Sequence, residues 1–437
     1  MPRNVLLLQG PVGPFFRKLA TQLESNGHNV LKVNLNGGDL FFYRDGDYEN
    51  FTGAASIWPF WIESLMAERG IERIYLFGDC RRYHRQAIAI AKRLAIEVYV
   101  FEEGYVRPNY TTLEKGGVNG HSTACEPAKI LQELHSMELD DSEQPTPAAP
   151  VSSVFISAAC SAMQYYIASS VLRRKFPDYE HHRALRVFSE GMCWIRSGIR
   201  KTWYKVSERG ISQRLIRGQE KYFLVPLQVH NDTQVTQHSD YGGVEEFIER
   251  VIISFASAAP DVSLVFKHHP YDRGYKNYRK QIQNLAKRHN VSGRVHYVHD
   301  TDLPLLLQNA EGSVLINSTV GISSLYHQTP VVAMGNAIYD FPSLTHQGSL
   351  ESFWSNPGEV DKELFLKFRQ YLIKNTQING SVYSDIQGST GACGMIWTTN
   401  MFKTHIQATH HNVIDLDEHR TEETPVLETE KRNKLAV

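Results

Sequence analysis

The chain has 437 residues, 42% apolar and 21% charged, with a formal net charge of −1. That length exceeds one ordinary core and predicts two domains, while near-neutrality excludes a general attraction to nucleic acid. Five cysteines, Cys80, Cys125, Cys160, Cys193 and Cys393, are far apart without a CxxC pair, which fits a reducing cytoplasm and argues against structural zinc.

In chain order, the first part alternates short apolar runs with helical periodicity, the pattern of parallel βα units. Residues 5–8 read as a buried strand, too short for a secretory core with its cleavage site. A Gly/Pro turn leads to a helix near 15–25, followed by strands at 30–33 and 74–77, a helix over 82–95 and a strand at 97–101. These units predict an N-terminal Rossmann-like domain, residues 1–135. The acidic, proline-rich stretch 136–152 is a linker or a long surface loop.

Residues 153–220 are predicted helical. The uncharged stretch 151–172 is long enough to cross a bilayer, but its six serines, Gln164, Tyr165 and Tyr166 favour a helix packed inside the protein. Between 171 and 221 there are thirteen Lys/Arg against five Asp/Glu, including Arg196, Arg200 and Lys201, interleaved with Trp194, Trp203 and Tyr204. Such a segment is either a solvated helix face or a contact for an anionic membrane surface.

Alternation then resumes, with strands at 222–225, 262–266, 294–298, 313–316 and 331–333 and helices at 244–258, 275–289, 303–308 and 320–327. A C-terminal Rossmann-like domain over 221–354 follows, then a helical return over 355–411. The acid-rich, apolar-poor end, 412–437, is expected to be a disordered tail. The fold class is therefore α/β with two Rossmann-like domains in a GT-B-like arrangement, which sugar-nucleotide enzymes of several kinds share.

Three strand ends carry polar motifs, where α/β sheets place ligands. Lys267-His268-His269-Pro270 offers a cation and imidazoles to a phosphate, or else satisfies strand-end carbonyls. Ser318-Thr319-Val320-Gly321 opens a helix and reads as an anion site in which Gly321 admits a ligand, or as a plain cap. The run Glu102 to Pro108 brings a carboxylate pair. With no Walker loop and no strand-end Asp-x-Asp pair, a donor site without metal or cofactor is expected.

The ordered set Gln9-Gly10-Pro11, Glu102-Glu103-Gly104-Tyr105-Val106-Arg107-Pro108, His181-His182-Arg183, Val225-Pro226-Leu227-Gln228, His269-Pro270 and Asn317-Ser318-Thr319-Val320-Gly321 resembles the bacterial capsule polysaccharide biosynthesis/export proteins of the KpsS kind, over about residues 4–350. The resemblance implies a cytoplasmic, membrane-peripheral β-Kdo transferase. Its donor would be CMP-Kdo, and its acceptor an anionic phospholipid of the lyso-phosphatidylglycerol type on the inner face of the cytoplasmic membrane. The linker-extending Kdo transferase and the capsule export machinery are implied as further partners, nucleic acid is not.

On the same resemblance His269, Pro270, Ser318 and Thr319 are CMP ligands, with Lys267, Asn317 and Gly321 on the donor side. Glu103 is the catalytic carboxylate. Related chain-extending Kdo transferases have Asp in a Glu-Asp-Gly motif, so Glu is a departure here, and both a retaining nucleophile and a general base stay open. Gln9, Glu102, Tyr105, Arg107, His182, Arg183, Gln228 and Asp232 are candidate sugar or acceptor contacts. The rival readings are a sugar-nucleotide epimerase, a UDP-dependent GT-B transferase and a non-enzymatic export factor.

Overall fold

The computed structural model describes residues 2–139, 154–180, 187–258, 261–386 and 392–397. Two sheets form. The first contains β1 (Asn4–Leu7), β2 (Asn29–Asn34), β3 (Tyr48–Asn50), β4 (Arg73–Phe77), β5 (Glu97–Glu103) and β6 (Tyr110–Lys115). The second contains β7 (Tyr222–Pro226), β8 (Ser263–Lys267), β9 (Val295–Val298), β10 (Gly312–Leu315) and β11 (Val331–Ala333). A last strand, β12 (Gln377–Asn379), leaves the second domain and pairs antiparallel with β6, which is itself antiparallel to β5.

Setting those two antiparallel edge strands aside, the sheets have the same plan. The first runs β5-β4-β1-β2-β3 and the second β11-β10-β7-β8-β9, all parallel. In each sheet the strand order reverses beside the first strand, between β1 and β4 and between β7 and β10. That reversal is where an α/β sheet opens a ligand crevice at its carboxyl ends.

The near-continuous apolar strands follow from burial on both faces. Leu6, Ile74, Leu76, Val98 and Val100 point to one side of the first sheet, joining Trp58, Ile62 and Leu65 of helix Trp58–Glu68 and Ala87 and Ala91 of helix Arg82–Arg93. The alternate residues Val5, Leu7, Tyr75, Phe77, Tyr99 and Phe101 pack on Phe15, Phe16 and Leu19 of helix Phe15–Ser25, with Ile378 and Met395 from the chain's return.

The chain divides differently from the linear domain plan. Within the described part of 355–411, helix Lys362–Thr376 hands over to β12, which completes the first sheet. Leu364, Phe365, Phe368 and Leu372 of that helix share one buried cluster with Tyr105, Ile130 and Leu134 of the first domain and Leu315, Ile322 and Leu325 of the second. The helical middle is also divided. Tyr165 of helix Val154–Val171 bonds Asp39 and Asn36 in the first domain, whereas Tyr204 of helix Val187–Ser207 stacks on His299 in the second, ring centroids 3.6 Å apart.

Strands β3, β6 and β12 and helices Gly37–Phe42, Trp58–Glu68 and Pro127–Ser136 were not expected from the sequence. Most of the stretch 136–152, the segment His181 to Arg183 and the tail 412–437 lie outside the described residues.

Candidate functional site at the carboxyl ends of two facing sheets

Three adjacent strands of the second sheet, β10, β7 and β8, end in Asn317-Ser318-Thr319, Leu227-Gln228 and His268-His269. Neighbouring strands lie about 4.8 Å apart, so these side chains share one rim. Gln228 Nε2 donates to Asn317 Oδ1 (3.0 Å) and Asp232 Oδ2 (3.2 Å), while Asn317 Nδ2 donates to the carbonyls of Gln234 (3.0 Å) and His238 (3.2 Å). Gln228 and Asn317 thus brace the switch point. Asp232 has a local duty as well, capping helix Thr233–Gln237 through the Gln234 N–H at 2.9 Å.

At the Ser-Thr turn, Ser318 Oγ accepts from the Val320 N–H and the Ser318 carbonyl accepts from Tyr339 OH at 2.6 Å. Thr319 sits at the helix start without a side-chain cap bond. Gly321 corrects the reading that it admits a ligand. A Cβ there would come 2.2 Å from Tyr339 Cζ, so the missing side chain is filled by Tyr339.

At the end of β8, Lys267 is buried and its ammonium donates to the His299 carbonyl at 2.7 Å, while burial lowers it to about 8. It is not the open cation that the motif suggested. His268 is buried against Tyr297, with 2.6 Å between Nδ1 and the phenol oxygen. His269 is the imidazole left at the rim. Its Nδ1 accepts from the Tyr271 N–H (3.2 Å), which puts its proton on Nε2. Burial, then the charges of Lys267, Arg107 and Arg273, lower it to about 4, so it is a neutral N–H donor at pH 7.

In the first sheet, the adjacent strands β5, β4 and β1 end in Glu102-Glu103, Gly78-Asp79-Cys80 and Leu8-Gln9. Glu103 accepts a 2.7 Å ion pair from Arg107 Nη2, with both side chains partly open to solvent. Glu102 turns inward. Burial pushes its carboxyl up to about 7; the Glu103 N–H bond and Arg81 oppose the rise, and the charges of Glu103 and Asp79 add to it.

The two rims face each other. Arg107 lies close enough for its charge to act on His269, and both Glu103 and Arg107 act on Tyr271, which is next to Pro270. Tyr383, from the chain's return, feels Glu102, Glu103, Arg81 and Tyr271. One cleft therefore gathers Glu102, Glu103, Arg107, His269 and Pro270 from the sequence-derived set. Arg81, Tyr271 and Tyr383 join them without a motif having pointed to them.

Two candidates fall inside the protein instead. Tyr105 is 1% exposed, and its hydroxyl donates to Glu114 (2.6 Å) and accepts from the Asn119 N–H (2.6 Å). Gln9 is also buried: its amide N–H groups reach Asp39, Tyr165 and Tyr179, and its Oε1 accepts from Arg81 at 3.0 Å. Both hold the cleft wall rather than meet a ligand. Among the described residues, one cluster, Asp79, Cys80, His121 and His238, has the donor set of a metal site.

Residues 72–383 match the family model described as capsule polysaccharide biosynthesis protein. The chain belongs to that family. It is 41% identical over 383 residues to the capsule polysaccharide export protein KpsS of Escherichia coli, covering 87% of this chain and 97% of that one. It is also 41% identical over 389 residues to the capsule polysaccharide modification protein LipB of Neisseria meningitidis serogroup A, covering 88% and 92%. Among solved structures, the β-Kdo 2,7 transferase of KpsC from Thermosulfurimonas dismutans aligns with a TM-score of 0.38 and 13% identity, over 84% of this chain and 99% of that one. No helix among the described residues of this capsule protein is long and apolar enough to cross a membrane.

Proposed function

We propose that this protein transfers Kdo from CMP-Kdo to a lyso-phosphatidylglycerol-type acceptor, starting the β-Kdo linker of a capsular polysaccharide. The observation that carries the reading is the meeting of Glu103 and Arg107 with His269 and Tyr271 across the cleft. It brings the Glu103–Arg107 pair of one domain near the His269–Tyr271 segment of the other.

CMP leaves as a monoester, which needs less neutralisation than a diphosphate. The Nε2–H of His269 and the Ser318 and Thr319 hydroxyls supply donors for it without a divalent ion. Glu103 attacks C2 of Kdo: the carboxylate oxygen–C2 bond forms as the C2–O bond to phosphate breaks, and the electron pair leaves on CMP. The lipid hydroxyl then attacks C2 and releases Glu103, so two inversions give net retention. Its proton passes to Glu102, whose carboxyl near 7 suits a base at neutral pH. Arg107 offers its remaining N–H donors to the Kdo carboxylate.

A lipid acceptor requires contact with a bilayer, and the helical middle supports it. On helix Val187–Ser207, Ile195, Ile199, Trp203 and Val206 form an apolar row, each 59–72% exposed. Met163, Ile167 and Val171 form another on helix Val154–Val171, so that helix packs on one face and leaves the other open. Exposed Lys201 and Lys205, one turn apart, add positive charge on another side of the same helix. Arg196 and Arg200, in the segment that the sequence leaves open between a solvated face and a membrane contact, donate to the carbonyls of Gly274 (3.2 Å) and Arg273 (2.8 Å) and dock the helix on the second domain.

Purified protein incubated with CMP-Kdo and lyso-phosphatidylglycerol is expected to give a glycolipid one Kdo heavier than the acceptor, with the anomeric configuration of the donor retained. An inverted product overturns the two-step route. Absence of product from folded, CMP-binding protein overturns the transferase reading.

A further inference from the structure

We infer that Asp79, Cys80, His121 and His238 form a tetrahedral site for zinc or a zinc-like transition-metal ion that ties the two domains together beside the cleft. Asp79 and Cys80 follow β4, His121 ends the short 3₁₀ turn Asn119–His121, and His238 comes from the second domain, after helix Thr233–Gln237. One ligand atom from each lies within 4.8 Å of all the others.

The spacing suits the ion. Zinc held at 2.0–2.2 Å by nitrogen and oxygen and at 2.3 Å by sulfur places tetrahedral ligand atoms about 3.3–3.6 Å apart. Here Asp79 Oδ2 is 3.1 Å from His121 Nδ1, and Cys80 Sγ is 3.3 Å from His238 Nε2 and 3.2 Å from Asp79 Oδ1. The two imidazole rings meet edge to face with centroids 4.5 Å apart. The three short contacts open by a few tenths of an ångström on binding, and the other ligand pairs, within 4.8 Å of each other, close inward around the ion.

The chemistry of the donors points the same way. A thiolate, a carboxylate and two neutral imidazoles carry two negative charges, which a dication balances in a site that buries Asp79, Cys80 and His238. On binding the ion, the Cys80 thiol releases its proton to water and ligates as the thiolate. The Val118 N–H donates to Asp79 Oδ2 at 3.0 Å, an outer contact that orients a metal-binding carboxylate. At Gly120 any Cβ would come 2.3 Å from His238 Nδ1, so only glycine lets the ring from the other domain reach the cluster.

With four protein ligands the site is closed, the pattern of structural rather than hydrolytic zinc. It bears on the cleft through position. The His238 carbonyl accepts from Asn317 Nδ2 and from the Asn336 N–H (2.8 Å), so an anchored His238 also fixes the end of β10.

The experiment titrates chelator-stripped, full-length protein with Co²⁺ alone and separately with Zn²⁺. One equivalent of Co²⁺ is expected to give intense tetrahedral visible bands and a thiolate-to-cobalt charge-transfer band, and Zn²⁺ is expected to raise the melting temperature. Cys80→Ser loses the charge-transfer band. His121→Ala, a change at an exposed side chain that leaves the fold intact, weakens Zn²⁺ binding at least about tenfold. Folded wild-type protein that takes up no equivalent of either metal overturns the site. So does a weak octahedral cobalt spectrum without the thiolate band. Neither result touches the transferase reading, which is scored by product formation.

Discussion

The backbone N–H of Glu103 donates to the Glu102 carboxylate at 3.0 Å, so two neighbouring acids at the end of one strand occupy different environments. Alternation along β5 turns Glu103 to its Arg107 partner and Glu102 to the inner wall of the same cleft beside Gly78, Arg81 and Asp79, and both act on Tyr383. A pair of carboxyl groups held apart in this way can divide nucleophile and proton-transfer duties.

Glu103→Gln keeps the shape of the site and replaces the attacking carboxylate with a neutral, non-nucleophilic amide. Transfer to the lipid is expected to fall by at least about 10³-fold, while CMP affinity, set on the opposite rim, changes less than about twofold. Product formation by mass spectrometry and CMP titration calorimetry measure the two quantities, and near-normal turnover removes Glu103 from the chemistry.

Glu102 acts deprotonated if it receives the acceptor's proton. With its carboxyl raised to about 7, the rate of lipid transfer is expected to climb from pH 6 to 8 and then level off. Glu102→Gln abolishes that climb and leaves a low, flat profile. A wild-type rate unchanged across the same range excludes Glu102 as the base.

The strand ends were legible in the sequence because a buried parallel strand is an unbroken apolar run and its polar stop is abrupt. Glu102-Glu103 and His268-His269 both stand out that way. Their roles were less legible. Lys267 and Gln9 look like ligands in sequence, and only the packing shows the ammonium on the His299 carbonyl and the amide among Asp39, Tyr165 and Tyr179. Strand β12 was missed because three residues show no period and their partner is 265 positions earlier, Gln377 opposite Thr112. The Asp79, Cys80, His121 and His238 cluster has no ligand spacing to find; the fold assembles it from two domains.

Glu114 provides a stability test away from the chemistry. It is buried, accepts from Tyr105 OH and Ser122 Oγ, and is raised to about 7, mainly by burial. A carboxyl raised in the folded state favours folding below its unfolded value near 4.5, and that contribution is lost as pH rises through 7. Glu114→Gln mimics the protonated form. It should match wild type near pH 4.5 and exceed it in stability by up to about 3 kcal/mol at pH 8, at about 1.4 kcal/mol per pKa unit. Urea unfolding at both pH values measures the difference, and a variant whose margin does not grow with pH contradicts the buried-acid account.

The membrane contact divides between apolar and cationic groups that substitution can separate. Ile199 and Trp203 are 67% and 68% exposed on one face of helix Val187–Ser207, so Ile199→Glu with Trp203→Glu should leave folding intact. Removing two insertion groups and adding two anions is expected to abolish sedimentation with phosphatidylglycerol vesicles. Lys201→Glu with Lys205→Glu should weaken it and steepen its salt dependence less than wild type, since each cation near an anionic surface contributes about 1 kcal/mol. Charge reversal of Arg200 is a poor probe, because its guanidinium holds the Arg273 carbonyl at 2.8 Å and its loss would undock the helix. If the Ile199, Trp203 double variant still sediments with anionic vesicles as wild type does, this face is not the one that meets the lipid.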